Sequence, residues 1–207
     1  KIYSFYPYAQ IIRTKIPEII DFFILHEGPL GVLDDQLIEK DYKDILDKKY
    51  SKNANNGFLG ITDKYWLTSI IPQKNKKFRA DFEYNEKFKV NYIETDSYDS
   101  KPNAQISNIV NVVVAAKEVN VIDGYNESLG LKKFDLVIDW GWFYWIVKPL
   151  FFLNDYFFKL AGNYGIAIIL ITVCLRLAFF PLNNYAFKSM SRMKLVQPEM
   201  ARLKEIH

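Results

Sequence analysis

The residues of this chain that could perform acid–base or metal chemistry are few and far apart. His26 and His207 are its two histidines, and no cluster of histidine, cysteine and carboxylate residues has the spacing of a metal site. With so few histidines no Ser-His-Asp triad can be assembled convincingly. Asp34 and Asp35 could form a carboxylate pair, although a solvated turn is the favoured interpretation. The sequence therefore predicts no enzyme, no cofactor and no metal.

The most informative ionisable residue is Arg176, because it lies inside a long apolar stretch. Residues 160–187 carry one charge in 28 residues, and that charge is Arg176. A charge well inside a membrane span costs a few kcal/mol, so such a residue usually faces protein or a water-filled cavity. The alternative is that the side chain snorkels to the headgroups on the Pro181 side, ~8 Å away along a helix.

Thr172 lies four residues before Arg176 and hence on the same helical face. A hydroxyl and a guanidinium on one face would form a polar strip inside the bilayer. The alternative for Thr172 is a hydrogen bond from its hydroxyl to a carbonyl one turn earlier, as threonine often makes in such helices.

The stretch around these two residues is long enough to cross a membrane. A hydrocarbon core of about 30 Å needs ~20 apolar residues, and residues 162–181 supply them. A core helix of a soluble protein would instead show a polar stripe every three or four residues, and none is visible. We therefore predict a transmembrane helix over residues 161–182, in which Cys174 is a small apolar packing residue.

Charge sets the expected orientation of this span. Residues 188–207 contain five Lys or Arg and two Glu, a net charge of +3, which equals that of the whole chain. Basic residues next to a span stay in the cytoplasm, so residues 183–207 are predicted to be cytoplasmic and residues 1–160 periplasmic. Pro198 suits the first turn of a new helix, the start of a helical hairpin. The remaining residues sum to zero charge, which argues against nucleic acid as a direct partner.

An aromatic segment precedes the span. Eleven of the 27 residues in 134–160 are aromatic, and Pro149 is expected to break or kink a helix. A second span is possible, but the apolar runs on either side of Lys148 and Pro149 are short. We predict an amphipathic helix in the membrane interface over residues 134–160, anchored by three tryptophans, Trp140, Trp142 and Trp145.

Residues 1–133 are predicted to form a β-rich domain, because several segments alternate apolar and polar residues. The expected strands are residues 9–14, 21–25, 58–72, 77–84, 87–94 and 106–116, and Val32-Leu33 are a candidate start of a further short strand. A turn is expected over 26–31, a loop over 51–57, and short helices near 41–49 and 118–129. The predicted fold is thus mainly β, an antiparallel β-sandwich type, followed by an all-α membrane part.

Several motifs resemble one known family, the YidC membrane protein insertases. GNYGIAIILITVCLRLAFFPL and KSMSRMKLVQPEMARLKE resemble its second transmembrane helix and the cytoplasmic segment that follows. IDWGWFYWIVKPLFFL looks like its interfacial helix, while HEGPLG and GITDKYWLTSIIP resemble the second half of its periplasmic domain, a β-supersandwich. The resemblance covers most of the chain.

This resemblance implies an inner-membrane insertase and chaperone, acting alone or beside the Sec translocon. Arg176 matches the family's arginine in a hydrophilic groove, and Thr172 matches a polar position beside it. The implied partners are nascent membrane proteins, the lipid bilayer, the Sec translocon and the ribosome. An amino-terminal export element, the first half of the periplasmic domain and later helices are expected outside this chain, which alone should be inactive.

Two other classes of function stay open at this point. One is a single-span, membrane-anchored periplasmic binding or scaffold module, whose function would survive replacement of the span by a plain apolar helix. The other is an exported enzyme, which would need a clustered acid–base pair in the β-rich part.

Overall fold

The structure is a computed structural model that describes residues 3–15, 26–100 and 105–206. Contacts divide the chain into two compact units, Lys1–Gly141 and Trp142–His207. We call them the β unit and the helical unit.

The β unit contains eleven described strands, and the β3–β4, β5–β6 and β7–β8 turns are rich in Asn, Asp or Lys. The strands are β1 (Tyr3–Phe5), β2 (Tyr8–Arg13), β3 (Gly28–Leu33), β4 (Gln36–Glu39), β5 (Tyr50–Ala54), β6 (Gly57–Thr62), β7 (Trp66–Pro72), β8 (Phe78–Asn85), β9 (Lys87–Glu94), β10 (Tyr98–Ser100) and β11 (Val110–Ala116). Two α-helices, α1 (Tyr42–Asp47) and α2 (Val119–Ser128), and a short 3₁₀ helix, Phe134–Val137, complete the unit.

Antiparallel pairing joins these strands into three sheets. A five-stranded sheet has the order β11-β7-β6-β3-β4, a four-stranded sheet has the order β2-β9-β8-β5, and β1 pairs with β10. The prediction of a mainly antiparallel β part followed by helices is confirmed.

The five-stranded sheet is covered on both faces, since successive side chains of a strand point to opposite sides. Leu59 belongs to the apolar cluster shared with the four-stranded sheet, together with Phe82 and Tyr92. The adjacent Phe58 belongs to a second cluster, on α2 and the 3₁₀ helix, where its ring meets Phe134 edge to face at 4.8 Å.

Two of the predicted irregular segments are strands instead. Residues 28–31, expected as a turn, begin β3, and most of the expected loop at 51–57 forms β5. Gly31 favoured a turn in the sequence, but in the structure it allows β3 and β6 to lie close together. A Cβ at Gly31 would lie 2.8 Å from the Phe58 carbonyl oxygen. Gly57 has a φ of +131°, which few other residues adopt.

Other strand predictions hold with small shifts. The expected hairpin turn at Asn85-Glu86 is present, with Glu86 at a φ of 57°. The short helices near 41–49 and 118–129 correspond to α1 and α2. The strand expected at 21–25 lies outside the described residues.

The helical unit consists of α3 (Tyr144–Ala161) and α4 (Tyr164–Ile206). Where one helix was expected over 134–160, the structure has the 3₁₀ helix buried in the β unit, an irregular stretch, and α3. The helix α3 also continues through Pro149, although the ring and the missing N–H of proline disfavour a helix interior.

The helix α4 is continuous over 43 residues, where an end near Pro181 and a new start at Pro198 were expected. The residues around Pro181 include several Leu and Ala, which favour helix, and the helix continues through the proline. At ~1.5 Å per residue the helix is about 65 Å long, roughly twice the thickness of a hydrocarbon core.

Candidate functional site in the long apolar helix

The helix α4 contains the part of the described chain that is long and apolar enough to span a membrane. This part is Tyr164–Lys194, and only 6% of its most apolar 18 residues are buried within the structure. A core helix of a soluble domain would be mostly buried, so the exposed apolar surface indicates a lipid environment.

The two helices of the helical unit are joined by a tight turn. Gly162 has a φ of 65°, and its N–H donates to the Phe158 carbonyl at 2.8 Å. Asn163 then caps α4, because its side-chain oxygen accepts the Gly165 N–H at 2.7 Å. The Phe158 and Tyr164 rings stack at 4.1 Å across the turn, so the two helices return side by side.

The face of α4 that packs on α3 is apolar. Ala167 is fully buried there, and the less exposed residues Leu170, Ile171 and Leu175 follow at helical spacing. Thr172 and Arg176 each follow one of these packed positions by one residue, about 100° further around the helix. Their face is therefore turned away from α3.

Thr172 and Arg176 are both exposed. The Thr172 hydroxyl donates to the Ile168 carbonyl at 2.7 Å, which is the back-bonded arrangement. Its oxygen keeps a lone pair that can accept a hydrogen bond. Arg176 makes no hydrogen bond or ion pair with the residues that the structure describes. Its five N–H donors are thus available to a ligand.

The three tryptophans expected as interface anchors fall into two environments. Trp140 lies in the β unit, where its indole N–H donates to the Asp135 carbonyl at 3.2 Å and the ring is partly buried. Trp142 and Trp145 are 99% and 85% exposed at the start of the helical unit.

A cluster of charged residues surrounds Lys117 at the point where the chain leaves the β unit. The Lys117 ammonium donates to the Thr62 hydroxyl at 2.9 Å. Burial lowers the Lys117 pKa, an effect that the nearby carboxylates of Glu27, Asp139, Asp63 and Glu39 only partly offset. The sequence does not reveal this cluster, because its members come from five separate segments.

A second polar group missed by sequence reasoning is Glu94. Its buried carboxylate accepts hydrogen bonds from Tyr98 at 2.5 Å and Tyr92 at 3.3 Å, and pairs with Lys76 at 3.2 Å. Burial raises its pKa, but the hydrogen bonds from Tyr98, Asn108 and Lys76 outweigh burial and hold the pKa below its ordinary value. Glu94 thereby ties separate loops together.

The residues first examined for chemistry have structural roles. Asp34 and Asp35 form the β3–β4 turn with positive φ, and the Asp34 carboxylate accepts the backbone N–H groups of Asn55 and Asn56. The His26 Nδ1 atom lies 3.6 Å from the Asp41 Oδ1 atom. Among the described residues no group of three or more His, Cys, Asp or Glu could hold a metal ion.

A cleft of about 360 Å³ lies at the end of the β unit that carries the β3–β4, β5–β6 and β7–β8 turns, which we call the cleft end. Its floor is apolar, with Phe58, Phe78 and Leu131, and its rim carries Asp35 and Lys74. The cleft could hold a small or extended ligand with mixed polar and apolar character.

Two family models together match nearly the whole chain. The model of the YidC periplasmic domain matches residues 1–153, and that of the 60Kd inner membrane protein matches residues 156–207. The chain belongs to the YidC membrane protein insertase family. The resemblance seen in the sequence motifs is thereby confirmed.

Curated relatives support the same assignment. The chain is 60% identical to a membrane protein insertase YidC of Pelagibacter ubique over its full length, and 42% identical over 98% of its length to that of Nitrobacter hamburgensis. A third, from Rickettsia bellii, is 41% identical over 89% of the chain. The chain spans 37%, 36% and 34% of these relatives.

The family and the long apolar helix together point to the inner membrane as the location of the protein. The relatives are named as insertases, and neither matching family model describes an enzyme.

Proposed function

We propose that this chain is part of a membrane protein insertase and chaperone, in which Arg176 and Thr172 line a hydrophilic groove for incoming polypeptides. The observation that carries the proposal is the exposed, unpaired Arg176 on a face of the apolar helix turned away from α3. A guanidinium held inside the bilayer region is expensive unless a polar ligand or water meets it.

The proposed mechanism involves no covalent step. A hydrophilic segment of a nascent membrane protein enters the groove, where Arg176 compensates part of the desolvation that the segment would otherwise suffer. Acidic segments benefit most, because the guanidinium can bind a carboxylate through two parallel hydrogen bonds. The bound segment leaves when its own apolar span partitions into lipid.

The proposed orientation places residues 1–160 in the periplasm and the basic tail in the cytoplasm. The support is the net charge of +3 in residues 188–207, five cations against two carboxylates. A cytoplasmic tail would meet clients near the ribosome, and lateral contact with the Sec translocon would extend the client range. Both are proposed as partners.

Substitution of Arg176 in the full-length protein tests the proposal. Hydrogen bonds to charged groups are worth about 1.5–3 kcal/mol, and each ~1.4 kcal/mol is a factor of ten. We therefore expect Arg176→Ala to lower the insertion of a client with an acidic outer segment by roughly tenfold or more. Arg176→Lys should retain most activity. Insertion is measured by protease protection of the client.

A matched control separates the groove charge from charge in general. Lys188→Ala removes a cation outside the proposed groove and should leave insertion unchanged. Full insertion by Arg176→Ala or Arg176→Glu would contradict the role of Arg176.

A second candidate function is a membrane-anchored periplasmic binding or scaffold module. The observation that favours it is the cleft of about 360 Å³ in the β unit. Replacing the span by a poly-leucine helix distinguishes the two functions, because a binding module would keep its activity and an insertase would lose it.

A further inference from the structure

The chain leaves the β unit beside the turn that joins β6 to β7. Lys117, just after β11, donates its backbone N–H to the Tyr65 carbonyl at 2.8 Å and its ammonium to Thr62 at 2.9 Å. The Asp139 carboxylate, two residues before the end of the unit, accepts the His26 backbone N–H at 3.2 Å, and Gly28, two residues after His26, pairs with Thr62 at the end of β6. The β6–β7 turn and the chain exit therefore lie at one end of the unit.

Three further elements belong to the same end, which we call the exit end. Arg13, the last residue of β2, pairs with Asp63 in the β6–β7 turn and lies over the ring of Tyr42 in α1 at 5.9 Å. The Tyr42 ring contacts Phe88 at 4.7 Å, and Phe88 contacts Tyr84 in the β8–β9 hairpin at 4.8 Å.

The exit end exposes large apolar side chains from all of these elements. Tyr65 and Trp66 are 65% and 59% exposed, and the other exposed members are Ile12, Leu46 and Tyr84. At the cleft end the described residues of the β3–β4, β5–β6 and β7–β8 turns expose no large apolar side chain, but Tyr6, Tyr8 and Ile109 are exposed near it. The exit end differs from it in carrying an exposed tryptophan beside the point where the chain leaves the unit. A patch of this kind on one end of a domain marks an interaction surface.

The chemistry of the β6–β7 turn fits a lipid headgroup layer. Tyr and Trp concentrate at membrane interfaces because each has an apolar ring and a polar edge. The Lys64 ammonium lies 5.2 Å from the centre of the Tyr65 ring, so the turn also carries a positive charge, which anionic headgroups attract.

The covalent connection limits how far the exit end can lie from a bilayer. Gly141 ends the β unit and Tyr164 begins α4, so 22 residues lie between them, of which α3 accounts for 18. A helix of that length spans about 27 Å, and the four other residues add at most ~14 Å. The highly exposed Trp142 and Trp145 lie within this connection.

We propose that the exit end of the β unit docks on the bilayer surface, with Tyr65 and Trp66 seated in the lipid headgroup layer. The docking rests on the proposed membrane crossing of α4 and adds a second, peripheral attachment.

Site-specific labelling tests this docking in the intact chain, reconstituted in nanodiscs of phosphatidylethanolamine and phosphatidylglycerol. In a Cys174→Ala background, Lys64→Cys carries an environment-sensitive fluorophore beside the two rings, and Lys132→Cys carries it at the cleft end, where the lysine is highly exposed. We expect lipids with nitroxide headgroups to quench the first label at least twofold more than the second. Adding Tyr65→Ser and Trp66→Ser should remove that difference.

A third label separates this inference from the proposed function. Native Cys174, labelled in the otherwise unchanged chain, reports contact of α4 with acyl chains through brominated lipids. Quenching at Cys174 with equal quenching at positions 64 and 132 would overturn the docking alone. Absence of quenching at Cys174 would overturn the membrane crossing. If the fluorescence of the label at position 64 shows an apolar environment but nitroxide lipids do not quench it, the surface contacts a protein. That result would also overturn the docking.

Discussion

The two units of this chain handle apolar and polar groups in opposite ways. The β unit buries large apolar residues in two clusters and satisfies its buried carboxylates, such as Asp81 and Glu94, with hydrogen bonds and lysines. The helical unit exposes most of its apolar side chains and leaves Arg176 unpaired among the described residues. The β unit thus has an apolar core and a surface suited to water. The helical unit has an apolar surface suited to lipid, with a polar position at Arg176.

The sharpest test of this contrast is at Phe134, which the sequence places in an aromatic membrane segment and the structure places in the β core. Phe134→Ala should destabilise the β unit by about 3–5 kcal/mol, because it removes a fully buried ring packed on Phe58. The loss of stability is measured as faster hydrogen exchange of the β6 and β7 amides in the full chain in detergent micelles.

Phe143→Ala is the matched control for Phe134, since Phe143 is an aromatic residue nine positions later that is 69% exposed. Its effect on the same amides should be below about 0.5 kcal/mol. Similar effects of the two substitutions would contradict a boundary between the two units near Gly141.

The next largest effect is expected at Glu94. Glu94→Gln leaves the Lys76 ammonium and the loops around it without their carboxylate, and should destabilise the β unit by about 2–3 kcal/mol. The control is Glu86→Gln, an exposed carboxylate in the β8–β9 turn, which should have little effect.

Glu94 also predicts a dependence of stability on pH. Its folded pKa is lowered, so the stability it contributes is complete above its unfolded pKa of about 4.3 and is lost as the pH falls towards the folded pKa. Denaturant midpoints of the β unit between about pH 6 and pH 3 should therefore fall less steeply in Glu94→Gln. An unchanged slope would show that Glu94 does not contribute.

The smallest effect is expected at Thr172. Its back-bond to Ile168 satisfies the hydroxyl within the helix, so Thr172→Val should leave α4 intact and lower client insertion only about two- to fivefold. Thr172→Ser, which keeps the hydroxyl, should restore insertion. A loss with Val as large as that with Arg176→Ala would mean that Thr172 contacts the client directly.

The sequence predicted best where one periodic pattern dominated. Alternation over β8 and β9 located a hairpin, and the apolar run around Arg176 located the spanning helix. It failed where tertiary contacts decide: Gly28 and Gly31 suggest a turn, yet close strand approach makes them part of β3.

The candidate site shows the same limit. Sequence spacing put Thr172 and Arg176 on one face of a helix, but only the packing of Ala167 on α3 shows that this face is turned away from the neighbouring helix. Trp140 is a further case, because composition grouped it with Trp142 and Trp145 while its indole N–H donates to the Asp135 carbonyl within the β unit. Lys117 and Glu94 could not be found from spacing at all.

The uninterrupted course of α4 makes it a lever. A rigid rod of about 65 Å that tilts by ~10° around its midpoint moves each end by about 6 Å. A small tilt of the half that is long and apolar enough to cross a membrane is thereby amplified into a displacement of several ångströms at the far tip. Two separate helices joined at Pro181 would absorb the same movement in the joint.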